Sequence, residues 1–384
     1  MLPQERRATG ALTGIYATRI LGLFLLLPVL DLYVRSLPGG SQRLAGFAVG
    51  AYALAQGLLL IPAGHLSDRI GRKPVIAGGI VLFIAGSLVG MFTHSVAGVI
   101  LARLLQGTGA ISSAVTALVA DVTRPEVRTR AMAIIGISIG ACFIISLLAG
   151  PALDGAFGVN GIFACMALLG VGSLVALSLV PRPQAAPAAR GSVLRPALWR
   201  VPLLLTYIGI FSVHFSLTCA FVAVPQILHD TLHLDLSIHW KVYATVFLIS
   251  LLVTVPLLRL FEKSDAPGRI TQAAVALLCA SLIWLALGGS TAWGIRAGMA
   301  MFFGAFNFLE AQLPARLSLV VEASSRGTAM GIFATSQFLG AGVGGMLAGQ
   351  MLGAHLPLGY VFAAGAGVTA IWLACQLFLG ERSG

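Results

Sequence analysis

From Val75 to Phe92 the chain runs eighteen residues without a charge, and stretches of that kind follow one another along its whole length. A helix rises about 1.5 Å per residue, so roughly 20 apolar residues cross the ~30 Å hydrocarbon core of a bilayer with their backbone groups paired internally. Twelve such spans fit: Thr9 to Tyr33, Leu44 to Ile61, Pro74 to Phe92, Val96 to Ala120, Ala131 to Leu153, Gly161 to Val180, Val201 to Leu228, Trp240 to Leu260, Ile270 to Leu287, Ala292 to Val320, Thr328 to Leu352 and Leu358 to Leu379. The runs are continuous rather than alternating, which excludes a β-barrel. The expected fold class is an all-α membrane protein with 12 transmembrane helices.

The few charges sort by loop. Of 24 Lys and Arg, eighteen fall on the first tail, the even-numbered loops and the last tail, while Arg35, Arg43, Lys241 and Arg296 lie on the opposite side and Arg19 and Arg103 lie within spans. Basic loops stay cytoplasmic, so both termini are expected on the cytoplasmic side of the cell inner (plasma) membrane. The net charge of +11 is then a topology signal. It forms no stripe, and no nucleic-acid partner is expected. Cys142, Cys165, Cys219, Cys279 and Cys375 fall in apolar runs without CxxC spacing, which predicts neither disulfides nor a metal site. The basic start MLPQERRATG precedes an apolar run too long for a signal peptide and without a small-residue cleavage site, so it opens the first span.

Between the sixth and seventh spans, Pro181 to Pro196 exchanges the apolar pattern for proline, alanine and arginine. The expected division is a first six-helix bundle over 1–180, a cytoplasmic linker over 181–200 and a second bundle over 201–384. The halves echo one another: Arg128-Thr-Arg-Ala-Met-Ala-Ile enters the fifth span and Arg326-Gly-Thr-Ala-Met-Gly-Ile the eleventh, 198 residues later. Two pseudo-symmetric repeats follow. No soluble domain is expected at either end.

Ionisable residues inside spans cost free energy and mark function. They are Arg19, Asp31, Arg103, His214, Glu310 and Arg316, with Asp121 and Asp154 near helix ends. Glu310 is the first candidate for a proton carrier, because a carboxyl withdrawn from water holds its proton more tightly, and Asn307 one turn away can hydrogen-bond it. His214, near the middle of its helix, titrates in the useful range and is the second. Asp31 is the third, at the outer end of the first span, where it also reads as a solvated helix-end carboxylate. Tyr207, Phe211, His214, Thr218 and Phe221 repeat every 3.5 residues, which gives the seventh span an aromatic face with a polar centre or an ordinary packing stripe. No Gly-x-Ser-Gly occurs and His214 is the one histidine well inside a span, so no intramembrane hydrolase, and no enzyme, is expected.

Between the second and third spans stands Gly64-His-Leu-Ser-Asp-Arg-Ile-Gly-Arg-Lys-Pro74, a short charged loop. Topology alone explains Arg69, Arg72 and Lys73 but not Asp68 or the paired glycines. The loop resembles the Gly-x-Leu-x-Asp-Arg-x-Gly-Arg-Lys signature of the major facilitator superfamily. Arg103, Gln106, Gly107 and Gly109 are similar to that family's Arg-x-x-Gln-Gly-x-Gly pattern in the fourth helix. Gly136, Gly140 and Gly150-Pro-Ala-Leu-Asp-Gly155 look like its antiporter signature, with Asp154 in place of the penultimate glycine. With Leu27-Pro-Val-Leu30, His239-Trp-Lys-Val-Tyr243, Phe306-Asn-Phe-Leu-Glu310 and Thr335-Ser-Gln-Phe-Leu-Gly340, the chain resembles the YajR-type branch of proposed drug:proton antiporters. Regulation by the soluble domain that follows the twelfth helix in that branch is not carried over.

The resemblance implies two six-helix bundles working by alternating access, and a conformational latch of Gly64, Asp68, Arg69, Gly71, Arg72 and Asp121. In it Asp68 faces the start of the eleventh helix near Gly327 and Thr328, and Arg72 pairs with Asp121 to tie the halves together. Helices one, four, seven and ten line the cavity in this family, which makes Tyr16, Arg19, Arg103, Gln106, Tyr207, Phe211, Thr218 and Asn307 candidates for contact with substrate. The expected function is proton-coupled export of small amphipathic compounds such as drugs, by a monomer in contact with lipid, with the proton as coupling ion and no cofactor. The alternatives are a proton-coupled symporter or a uniporter for sugars or organic acids, against which the Gly150-Pro151 segment argues and which Asp154 keeps open, and a non-transporting membrane sensor.

Overall fold

The structure, a computed structural model, describes residues 1–181, 196–289, 291–322 and 325–380. The helices are α1 (Pro3–Phe24), α2 (Leu30–Ser36), α3 (Gln42–Ile70), α4 (Arg72–Phe92), α5 (Val96–Thr108), α6 (Ser112–Val122), α7 (Pro125–Leu179), α8 (Val201–Gln226), α9 (His239–Lys263), α10 (Pro267–Gly288), α11 (Ala292–Val320), α12 (Arg326–Gly353) and α13 (Leu358–Gly380). Among the described residues no strand occurs, and nine helical stretches are long and apolar enough to cross a membrane. Large apolar side chains such as Leu248, Leu252, Leu287 and Phe378 stay exposed, as lipid-facing residues do.

Several spans depart from the expected straight helices, each for a local reason. The first is broken into α1 and α2, because Pro28 has no N–H to donate back to Phe24 and the chain tightens, with Leu27 N–H donating to Phe24 O and Val29 N–H to Leu26 O, both at 3.1 Å. The fourth is broken into α5 and α6 at Gly109–Ile111. The fifth and sixth spans are the two helical parts of α7, which meet at a kink where Gly158 leaves helical geometry, at φ 68° and ψ 173°.

The charged stretch after the second span is not a loop. Residues 64–70 are the last two turns of α3, and the chain reverses over Gly71 alone, at φ 98° and ψ 156°. That conformation is open to glycine and costly for a residue with a Cβ. Helical backbone continues past the apolar run because Asp68 and Arg69 lie where water solvates them, and both are exposed.

The chain forms two compact units, Met1–Gly40 with Ala51–Ala189, and Ser41–Gly50 with Arg190–Gly384. Most of the expected linker lies outside the described residues. Ser41 and the first nine residues of α3 therefore belong to the second unit rather than the first. Glycine makes this packing possible: a Cβ on Gly46 would lie 2.4 Å from Gly349 Cα, and one on Gly50 would lie 2.5 Å from Gly342 O. Gln42 and Gln226 exchange amide hydrogen bonds beside it, at 3.1 and 3.0 Å. On the neighbouring face of α12, Gly340 and Gly344 sit against the backbone of Phe211 and Phe215 on α8. The small-residue ridge of the eleventh span is thus packing surface.

Candidate functional site

In the second unit, α8, α11 and α12 bring together three polar side chains from otherwise apolar helices. Gln337 Nε2 donates to Glu310 Oε1 at 3.0 Å and lies 2.9 Å from His214 Nε2. His214 Nδ1 stands 3.8 Å from Glu310 Oε2, and neither atom has a hydrogen-bond partner. The His214 side chain is 5% exposed and that of Glu310 30%, but His214 Nδ1 and Glu310 Oε2 are themselves buried. Phe306, one turn before Glu310, places its ring 5.7 Å from the imidazole and stacks on Phe302. A carboxyl held this way can take up and release a proton.

Asn307 does not take the role expected of it. Its Nδ2 donates to Ser250 Oγ on α9 at 3.4 Å, and Gln337 is the amide that reaches Glu310. Nothing in the sequence pairs Gln337 with Glu310, since a glutamine 27 residues away is brought to the carboxyl only by packing of α12. The aromatic stripe of α8 divides in the same way. Phe211 is half-buried and stacks on Phe215, but Phe221 packs against Tyr243 and Phe303 in the core. Tyr207 is buried beside Trp199, and Thr218 is buried with its hydroxyl on the His214 carbonyl.

The first unit contains Arg19 and Arg103, and neither lines an open surface. Arg103, fully buried, donates to Gly22 O at 2.9 Å, Leu23 O at 3.4 Å and Gln106 Oε1 at 3.0 Å. Arg19 donates to Gln106 O at 2.8 Å and Gln56 Oε1 at 3.3 Å. The carbonyls of Gly22 and Leu23 precede the break between α1 and α2, and that of Gln106 precedes the break between α5 and α6. Each guanidinium thus supplies donors to carbonyls at a helix break, which a span in hydrocarbon must find inside the protein. Tyr52 lies between them, with its ring centroid 5.4 Å from the Arg19 and 4.6 Å from the Arg103 guanidinium carbon. Gln106 also donates to Ser87 Oγ at 2.9 Å. Arg19, Arg103 and Gln106 are therefore internal braces of this unit. Tyr16 on α1 is half-buried and packs at the edge of the unit's apolar core.

Asp31 is fully buried in the first turn of α2, 3.8 Å from Arg35, and is not a solvated carboxylate. Gly150 of the antiporter-like segment is packing, since a Cβ there would lie 2.3 Å from Leu25 O. Gly136 and Gly140 are exposed, and a Cβ added at either would meet nothing within 4 Å.

At the end of the first unit that carries Gly71, Arg72 pairs with Asp68 and Ser67 and lies 3.4 Å from Asp121. Arg72 and Asp121 both belong to this unit, so their contact braces it and does not tie the halves together. Arg69 is exposed, and Gly64 faces Ser113. Beside them is a clasp that sequence reading missed. Glu5, buried at the start of α1, accepts from Leu2 N–H at 2.6 Å, from Arg124 N–H at 3.1 Å and from Arg124 Nε at 2.9 Å. Nothing in either residue's neighbourhood in sequence announces a pair 119 positions apart.

The Arg124 guanidinium, with the Leu2 N–H, holds the Glu5 carboxyl down at about 2. A carboxyl whose pKa is depressed on folding adds stability above its unfolded value, and that stability is lost as pH falls through the folded one. The melting midpoint of Glu5→Gln in detergent should therefore lie below that of the parent at pH 6. The gap should close as pH is lowered from about 4.5 toward 2. A gap that stays constant over that range would show that the clasp does not depend on the charge.

The Major Facilitator Superfamily profile matches residues 12–324. The chain is 40% identical over 379 residues to the inner membrane transport protein YajR of Escherichia coli (strain K12), covering 97% of this chain and 83% of that protein. It is 27% identical over 341 residues to the multidrug resistance protein MdtH of Aeromonas salmonicida (strain A449), covering 85% and 82%. Its fold matches that of a bacterial homologue of the human lysosomal transporter Spinster with a TM-score of 0.78 at 15% identity, over 100% of this chain and 98% of that one. With its apolar helical spans in two units, the chain belongs to the Major Facilitator Superfamily, a family of membrane transporters rather than enzymes.

Proposed function

We propose that the protein is a proton-coupled exporter of small amphipathic compounds, an antiporter of the inner membrane that works by alternating access. The observation that carries this reading is Glu310, a carboxyl inside a spanning helix whose Oε2 is buried without a hydrogen-bond partner, with Gln337 and His214 for neighbours. A group of that kind binds a proton from one side and releases it to the other when access alternates. Coupling requires that proton and cargo favour different states, since equal affinity for both shifts nothing. The half-buried aromatic ring of Phe211, three residues before His214 on α8, suits an amphipathic cargo, and the name of the MdtH relative agrees with a drug-like one. Purified protein in proteoliposomes tests the reading. Substrate flux should rise when a pH gradient is imposed and reverse with its sign, and flux that ignores the gradient would overturn antiport.

In the same reading both termini and the Gly71 turn face the cytoplasm, where the basic loops stay. Asp68, which pairs with Arg72, carries the charge on which the latch depends. Asp68→Asn keeps the side chain's shape and removes its charge. It should insert and purify like the parent while transport falls to the level of empty liposomes. Parental turnover by that variant would dismiss the latch.

A further inference from the structure

Glu310 and His214 could each hold the exchangeable proton, and the geometry around Gln337 separates them. Both contacts of the Gln337 side chain run through Nε2, which donates to Glu310 Oε1 at 3.0 Å and faces His214 Nε2 at 2.9 Å. The opposite amide orientation would set a carbonyl oxygen against the carboxylate. While Glu310 is ionised, this orientation aims an N–H at His214 Nε2, which then accepts, with the ring proton on Nδ1 and the imidazole neutral. An imidazolium donates from both nitrogens and would meet the amide donor to donor. Glu310 has no such conflict, because its Oε2 is without a partner and can take a proton while Oε1 keeps the amide.

We infer that Gln337 is a positioning residue that keeps the exchangeable proton on Glu310 and holds His214 neutral, 3.8 Å away. This rests on the reading of Glu310 as the proton carrier. Other titratable or charged groups on α11 and on the helices packed against it are Arg296 and Arg316 on α11, Tyr207 and Cys219 on α8, His239, Lys241, Tyr243, Arg259, Glu262 and Lys263 on α9, Arg269 and Cys279 on α10, and Arg326 on α12. Among the described residues only His214 comes within ion-pair distance of Glu310. Without the amide, Nε2 no longer faces a donor and can bind a proton from solvent as Glu310 releases its own, while Nδ1–H closes on Oε2, so that an imidazolium–carboxylate pair forms.

The test reads the carboxyl itself rather than transport. Infrared difference spectra of the purified protein across pH should show a protonated-carboxyl band that is absent from Glu310→Gln. In Gln337→Met that band should appear only about one pH unit lower, the displacement an opposite charge at this range produces. The double variant Gln337→Met with His214→Asn should return the band to its parental pH. If Gln337→Met does not fold, Gln337→Asn, one methylene shorter and unable to reach both acceptors, replaces it. A band that does not move in the single variant, or that stays displaced in the double variant, overturns the role of Gln337. Absence of any band that depends on Glu310 in the parent would instead overturn the proton-carrier reading beneath it.

Discussion

Glu310→Gln is expected to abolish the response of transport to a pH gradient while leaving the protein folded and inserted. The substitution keeps the shape and a hydrogen-bonding partner for Gln337, but an amide neither binds nor releases a proton across the range in which transport operates. Flux driven by an imposed gradient should fall to that of empty liposomes. Exchange of labelled for unlabelled substrate, which needs no net proton movement, should persist. The two assays together separate lost coupling from lost binding. An unchanged pH profile in this variant would remove Glu310 from the mechanism and point to His214 or Asp31, the latter fully buried beside Arg35.

The second large effect is on stability. Arg103→Met retains the length and apolar stem of the side chain but removes the donors to Gly22 O, Leu23 O and Gln106 Oε1. Each buried acceptor left without a donor costs about 1–3 kcal/mol, and no longer burying a charge offsets part of that. A net loss of about 3 kcal/mol is expected, visible as a clear drop in the detergent melting midpoint. Arg103→Lys should rescue little, because a single ammonium lacks the planar fork that reaches separate acceptors at once. A melting midpoint equal to the parent's would show that the break after α1 holds without the guanidinium.

Glu310 and Arg103 also show how far reading the sequence reaches. Both stood out because an ionisable residue in a twenty-residue apolar run is expensive and therefore rare. Most of their partners did not stand out. Gln337 is polar but uncharged, nothing in its spacing says which helix face it shares with Glu310, and besides Gln106 the partners of Arg103 are backbone carbonyls. The expected role for Asn307 failed for that reason: it is one turn from Glu310 along α11, yet its amide turns to Ser250 on α9. Arg103 and Arg19 were expected at a cavity surface. The breaks at Pro28 and Gly109 draw them inward, because carbonyls at a helix break in a dry interior attract the nearest donors. Glu5 and Arg124, 119 residues apart, were beyond any local pattern.

What the sequence by itself determined is what depends on composition along a line. Twelve apolar runs dictate spanning helices, since backbone groups in hydrocarbon must pair within the segment. The Gly64 to Pro74 signature marks the family. Gly71 is a glycine because the chain must turn there through a positive φ. Tertiary structure alone decided what depends on which faces meet. It made residues 64–70 helix rather than loop, and assigned the start of α3 to the second unit through glycine contacts with α12. It also set Gln337 between the Glu310 carboxyl and the His214 imidazole. Side-chain identity fixes which groups carry charge, but hydrogen bonds are short and directional, so their pairing is fixed only when the helices pack.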